Sequence, residues 1–333
     1  MKKLYSTPQF ALFNEIKVKK RWKRKKRTKK RNINHFHCNF IRKPEEYEFL
    51  VPNCIDRLTI AHITSELRNI VEDQNRETVT FNFRNAEKVS ISGGILLKYF
   101  YDYIFSYSNK KFKVKGASQE NREKIYQIIS HIGLLGEKVK ESTKISYEDI
   151  IRWEIQSWRK NEKYDQQKIS ELISRVRNKN ESESGHSEIY SSILELLNNC
   201  KEHAYAYNAS GEFDKFYLFS GIDNELSKIV FLVFDAGCGF KTSYSKQGKR
   251  KSISMKGDKG FILDSFKESV SSTMEKGRGN GLAYVREKIF DLKGDIDIYS
   301  YKGIVSFINE KKSESKTAKE KLVGTLIRIS VPY

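Results

Sequence analysis

Three short stretches, in a fixed order, constrain this chain more than anything else in it. The first is E-L-L-N-N-C-K-E-H-A at Glu195–Ala204, the second D-A-G-C-G-F at Asp235–Phe240, and the third G-R-G-N-G-L at Gly277–Leu282. A helix over the first sets Glu195, Asn199 and His203 along one face at i, i+4 and i+8, with Leu196, Leu197 and Cys200 turned towards a core. Polar groups aligned in this way look into a site rather than into water. Glycines in the two later turns let the backbone take φ > 0 and bring N–H groups close to an anion without a Cβ in the way. Helix and turns together predict a nucleotide pocket.

The surrounding pattern supplies its frame. From Ser187 to Tyr207 the sequence reads as one long helix, followed by a hairpin: F-Y-L-F-S-G, turn residues Asp223 and Asn224, then I-V-F-L-V-F running into Asp235. A carboxylate delivered to a strand end can accept from an exocyclic amine such as that of adenine, and Gly237 and Gly239 allow the turn to lie against a planar base. Lys241 to Lys276 is polar and basic without a strong period, as a lid or loop would be. Its Lys246, Lys249, Arg250, Lys251, Lys256 and Lys259 suit the phosphate end of a nucleotide or simply water. G-R-G-N-G-L opens a helix at its glycine end, which turns free N–H groups and the positive dipole end towards phosphate. Two strands follow, D-I-D-I-Y-S and I-V-S-F-I-N, then a charged insertion at Glu310–Lys321 and a last strand, G-T-L-I-R-I-S-V-P.

These residues together resemble the GHKL superfamily of ATP-binding domains, which includes gyrase, heat-shock chaperones, histidine kinases, mismatch-repair proteins and the anti-sigma-factor kinases. The resemblance covers about Ser187 to Tyr333 and rests on E-x-x-x-N with H-A, D-x-G-x-G-F, G-x-G-x-G-L and the final G-T. It implies a Bergerat fold, a two-layer sandwich of helices over a mixed, largely antiparallel sheet, with ATP and Mg²⁺ as cofactors. By position, Asn199 would coordinate the Mg²⁺ that bridges the phosphates and Asp235 would bind the adenine amino group. Gly237 and Gly239 would shape the base pocket, Gly277, Gly279, Gly281 and Leu282 would hold the end of the lid at the phosphates, and Thr325 would sit beside the adenine-binding Asp through water. Glu195 would be the catalytic general base, as in the hydrolysing members and the anti-sigma kinases. Histidine kinases commonly lack it, so its presence points to an ATPase or a serine/threonine-type kinase. His203 matches the histidine of the anti-sigma kinase pattern and equally suits helix packing.

Upstream, Ile55 to Asp73 has helical apolar spacing, E-T-V-T-F-N-F alternates as a half-buried strand, S-I-S-G-G opens an apolar helix at Ile95–Ser106, and a strand at Lys111–Val114 precedes a helix at Gln119–Leu134. Alternating strands and helices predict a small α/β domain. Its order resembles the STAS fold of anti-sigma-factor antagonists over about Pro52 to Gly136. That family carries Asp-Ser-Ser-Gly at this turn where this chain has Ser90-Ile91-Ser92-Gly93, so Ser92 reads as a helix N-cap rather than a phosphorylation site. The segment Glu141–Arg177, with Ile150, Trp153, Ile155 and Trp158, reads as connecting helix, and Asn178–Ser187 as linker. The expected organisation is a basic arm and lead-in at 1–51, a STAS-like domain at 52–140, connecting helices and linker at 141–186, and the ATP-binding domain at 187–333.

Charge enters the argument through its distribution. Twelve basic residues and no acid fall between Lys17 and Arg31, and without that block the net charge drops from +20 to +8. Such a block gains free energy by counterion release on a polyanion, so nucleic acid bound through Lys17–Arg31 is one reading and a solvated tail the other. His35 and His37 beside Cys38 read as strand rather than metal site, because no second cluster completes a zinc-like set. Cys38, Cys54, Cys200 and Cys238 lack C-x-x-C spacing and read as reduced thiols. No run of about 18 apolar residues suggests a membrane span and the first residues lack a secretory apolar core, so a cytoplasmic, bacterial protein is expected. The leading expectation is a regulatory protein that binds Mg·ATP, turns it over slowly and gates a protein partner, with a homo-oligomer compatible with the sequence. Its alternatives are a serine/threonine kinase of anti-sigma-factor type and a nucleic-acid-associated ATPase effector, for instance in phage defence.

Overall fold

A computed structural model describes residues 40–42, 45–51, 54–55, 67–86, 88–116, 150–176, 185–206, 213–223, 226–246, 257–267, 281–310 and 312–332. The basic arm, the His35–Cys38 stretch and the helix expected at Gln119–Leu134 lie outside them. In the first half, β1 (Phe40–Arg42), β2 (Glu46–Leu50), β3 (Cys54–Ile55), α1 (Leu67–Glu72), β4 (Thr78–Asn82), β5 (Lys88–Val89), α2 (Ile91–Tyr107) and β6 (Lys111–Lys115) follow one another. Strands β2, β4 and β6 pair in parallel, β1 adds antiparallel to β2, and the sheet order is β1-β2-β4-β6. Short β3 and β5 form a separate parallel pair. Every residue of β4 is buried, which suits a central strand of a parallel sheet. Phe81 meets Phe49 and Phe100 edge-on at centroid distances of 5.5 and 5.1 Å, so the rings of β2, β4 and α2 form this core.

Two expectations change here. Strands β1 and β2 lie before Pro52 and belong to this sheet, so the α/β part begins earlier than the sequence suggested. The cap of α2 is Ser90, whose Oγ accepts from Gly93 N at 3.1 Å, while Ser92 sits in the first turn with its hydroxyl 3.1 Å from that of Ser90.

The second half runs β7 (Ile150–Arg159), α3 (Gln166–Val176), α4 (His186–Asn199), a π-helical turn (Cys200–Ala204), β8 (Lys215–Asp223), β9 (Lys228–Asp235), α5 (Gly239–Lys246), α6 (Gly257–Ser265), α7 (Gly281–Asp291), β10 (Asp295–Phe307) and β11 (Ser313–Pro332). Five strands form one sheet in the order β10-β11-β9-β8-β7, with all four ladders antiparallel. Within the segment expected as connecting helices, Gln166–Val176 is helical as expected, whereas Ile150–Arg159 is instead strand β7, paired along β8. A register shift between Ile151 and Glu154 breaks its two-residue period, so its apolar residues do not alternate in sequence as a regular strand's would. The charged stretch expected as an insertion is the first half of β11, where Ser313–Thr317 pair with Gly303–Phe307 of β10. The stretch after Lys241, expected as loop, contains the ends of α5 and all of α6.

Side chains alternate across the sheet. Ile229, Phe231 and Val233 of β9 join Ile327, Ile329 and Val331 of β11 in a core with Ile189, Ile193, Leu196 and Leu197 of α4. The intervening Val230, Leu232 and Phe234 are buried too, so β9 is covered on both faces. A strand written I-V-F-L-V-F has no polar face to give to water.

Helix α2 meets that second face. Tyr99 packs edge-on against Phe234 at 5.2 Å and Tyr217 at 6.4 Å between centroids. One turn on, the buried Asp102 accepts from Tyr217 Oη at 3.0 Å and Lys98 Nζ at 2.7 Å, with Lys215 Nζ at 3.4 Å. The charge is compensated from both sides of the contact, which makes its burial tolerable. Asp102→Ala leaves Tyr217 and both ammonium groups without their acceptor. We expect it to lower the stability of the full chain by about 2–4 kcal/mol in urea unfolding, against less than about 1 kcal/mol for removal of an exposed ion pair.

Candidate functional site

The register of three strands builds a polar row on the helix-facing side of the sheet. Ser300 lies opposite Thr325, and Thr325 opposite Asp235, each in phase with the core residues of its own strand. All three are buried. Asp235 ends β9, and its Oδ1 accepts from Gly237 N at 2.9 Å while the Thr325 N–H supports the same carboxylate. Burial outweighs these donors and pushes its pKa up to about 7. Ser300 Oγ lies 3.1 Å from Thr325 Oγ1, 3.2 Å from Gly324 O and 3.3 Å from Phe240 N.

Helix α4 delivers the opposite wall. The expected single helix instead widens into a π turn at Cys200–Ala204, so the face beyond Asn199 is rotated relative to a regular helix. Cys200 belongs to the core, as expected, and also lines the cavity beside Asn199, His203 and Ala204. Its Sγ points at Asp235 Oδ2 over 3.7 Å, and burial, then the charge of Asp235, raises the thiol's pKa. Ala204 is the seat of the glycine turn: its carbonyl accepts from Cys238 N at 2.8 Å, and a Cβ on Gly237 would run into that same carbonyl. Gly237 thus lets the strand-end turn close on the helix rather than on the cavity itself. Gly239, at φ +68°, starts α5 and lines the cavity with Cys238, Phe240 and Ser243.

The third wall is the start of α7. Leu282 lines the cavity, and Gly281 lies against α4 so closely that a Cβ would overlap Glu195 Oε1. Glu195 and Asn199 are neighbours: Asn199 Nδ2 donates to Glu195 O at 2.9 Å and to Glu195 Oε1 at 3.3 Å, which leaves Oδ1 as the group to offer a cation. Gly277 and Gly279 lie outside the described residues. Of the predicted site, Asn199, Asp235, Gly239, Leu282 and Thr325 line one cavity, whereas Gly237 packs against Ala204 and Gly281 against Glu195, next to the lining residues.

Its composition tests the fit of a nucleotide and its metal. Leu196, Phe240, Leu282 and Ile327 give an apolar slot closed at one end by the buried carboxylate, which suits a flat base with an amine. Among the described residues no group of three or more His, Cys, Asp or Glu could hold a metal by itself. A divalent cation here needs oxygens brought by a ligand, and Asn199 can add one. The residues fit Mg·ATP on both counts.

Sequence reasoning missed Ser300, Cys200 and Tyr205. The Tyr205 hydroxyl donates to Lys215 O and accepts from Ala236 N at 3.1 Å, tying the end of α4 to β8 and to the turn after β9. Ser300 carried a signal, since it falls in phase with Ile296 and Ile298 on the buried face. Cys200 is turned inwards by its spacing from Leu196, but that spacing does not show that the inward face also borders a cavity.

Asp235 also predicts a pH dependence. Its folded pKa of about 7 exceeds the ordinary aspartate value of 3.8, so between these limits the folded state holds a proton that the unfolded chain has released. Stability from this group is complete below pH 4 and is lost as pH rises through 7. Urea unfolding of the ligand-free protein should show a loss of about 2–4 kcal/mol across that window, absent in Asp235→Asn; parallel pH curves for the two proteins would contradict it.

A scan of the chain against protein-family models finds no match, and a search of curated proteins finds none either.

Proposed function

We propose that the chain is a regulatory protein of GHKL type that binds Mg·ATP, turns it over slowly and passes the state of its pocket to a protein partner. The observation that carries this reading is Asp235, a buried carboxylate lining an apolar cavity that Asn199 and Leu282 at the start of α7 also line, with Glu195 bonded to Asn199 beside it. In this reading the Asp235 carboxylate accepts from the adenine amine, beside Thr325. Leu196, Phe240, Leu282 and Ile327 enclose the base. The first N–H groups of α7 face the phosphates. Bound Mg·ATP supplies the phosphoanhydride and the cation that neutralises its charge. Asn199 Oδ1 takes one coordination position, and Glu195, steadied by Asn199 Nδ2, takes the proton of the attacking water.

The parallel strands and the docked helix α2 support the STAS-like reading of the first half, and the antiparallel sheet under α4 and α7 supports the Bergerat reading of the second. Contact between α2 and the back of β9 supports a regulatory use of the pocket, because a shift at Asp235 is felt one residue away at Phe234 and Tyr99. A serine/threonine kinase is the second reading. It is favoured by the carboxylate of Glu195 beside Asn199, which could deprotonate a serine hydroxyl as well as water.

Two substitutions test the assignment. Asn199→Ala should fold with unchanged thermal unfolding and lose Mg-dependent ATP affinity by at least about tenfold in calorimetry, whereas retained affinity would remove the metal role. Glu195→Ala should keep ATP bound while turnover falls by about a hundredfold or more. With γ-labelled ATP the wild-type protein should release free phosphate and leave protein unlabelled; label on a co-purified protein would favour the kinase.

A further inference from the structure

The hydroxyl of Ser300 has one proton and two acceptor positions. Three groups surround it: the Phe240 N–H, which can only donate, the Gly324 carbonyl, which can only accept, and the Thr325 hydroxyl, which can do either. Ser300 is 2% exposed, so water does not complete its bonding, and sending its single proton to the Gly324 carbonyl satisfies all three partners. Ser300 accepts from Phe240 N, donates to Gly324 O, and accepts the proton of Thr325. Thr325 then presents only lone pairs to the cavity it lines, next to the acceptor oxygens of Asp235.

We propose that Ser300 is a positioning residue that sets the hydrogen-bond polarity of the pocket: by holding the Thr325 proton, it makes the wall accept from a ligand and thereby selects a base with an amine over one with an oxo group at the same place. This rests on the nucleotide reading above and adds to it a discriminating device that touches no ligand atom itself. The selection arises because an oxo group brought against the Thr325 lone pairs and the ionised Asp235 carboxylate, at a pH above 7, meets acceptors and no donor. Ser300 also holds Phe240 N, so the same hydroxyl fixes the first turn of α5, which forms one side of the slot.

The test compares ATP with inosine triphosphate, which replaces the 6-amine by an oxo group, in calorimetry on the full chain with Mg²⁺. Wild type should prefer ATP. Ser300→Ala frees the Thr325 hydroxyl to rotate and donate, so the ATP-over-ITP preference should fall by about tenfold, chiefly through better ITP binding. Thr325→Ala should show a reduced preference also, and Ser300→Ala should change nothing further in that background. A purely structural role would weaken both nucleotides alike and leave the ratio as it was, and that result, or additivity of the two substitutions, overturns the proposal. If the alanine variant does not fold, Ser300→Cys replaces the hydroxyl by a weak thiol of similar shape and is read in the same way. Wild-type protein that binds neither nucleotide would overturn the nucleotide reading and this proposal with it, whereas an unchanged ratio in a variant that binds ATP overturns the proposal alone.

Discussion

Asp235 is held in a place where a carboxylate is costly, and much of the second half of the structure follows from how that cost is met. Its strand arrives through a fully buried run, so the carboxylate can meet water only through the cavity. Backbone N–H groups of Gly237 and Thr325 and the Cys200 thiol supply its bonds, and these come from three different elements. To bring them together, β11 must lie beside β9 in one register, the turn after β9 must fold back sharply, and the end of α4 must come down onto that turn. The Ala204 carbonyl against Gly237 is where the last two requirements meet, and no side chain can be placed between them.

The same economy of space recurs at the other side of the cavity. Gly281 lets the start of α7 sit directly on Glu195, so the end of one helix and the acidic side chain of another share a volume that a Cβ would fill. Asn199 then orders Glu195 from within its own helix turn. The site is thus not a set of side chains projecting into open space. It is formed by backbone segments packed closer than most residues permit, with a few polar groups set between them.

Coupling between the two halves comes from the sheet's second face. Phe234 and Tyr217 lie behind the row that carries Asp235, and Tyr99 and Asp102 of α2 close over them. A buried charge with two donors across the contact, Tyr217 and Lys215, tolerates little sliding, since each displacement would leave a charged or hydroxyl group without its partner. The strand that carries Asp235 and the parallel-sheet half are therefore packed together at α2.

The sequence alone determined the order of motifs, the β8–β9 hairpin that ends at Asp235, the helix beneath Asn199 and the alternation of strand and helix upstream, because each of these is set by local period and by glycine at fixed offsets. It did not determine that Ile150–Arg159 is a strand, since a register shift hides the period and only pairing with β8 decides between helix and strand. It did not show Cys200 or Ser300 at the site either. Cys200 meets Asp235 only because β9 ends against α4, and Ser300 acquires its role only when three strands align it with Thr325 and Asp235. Residues near one another in the chain set the local elements; the polarity of the pocket and its connection to α2 depend on contacts between residues far apart in sequence, and those exist only once the sheet has closed.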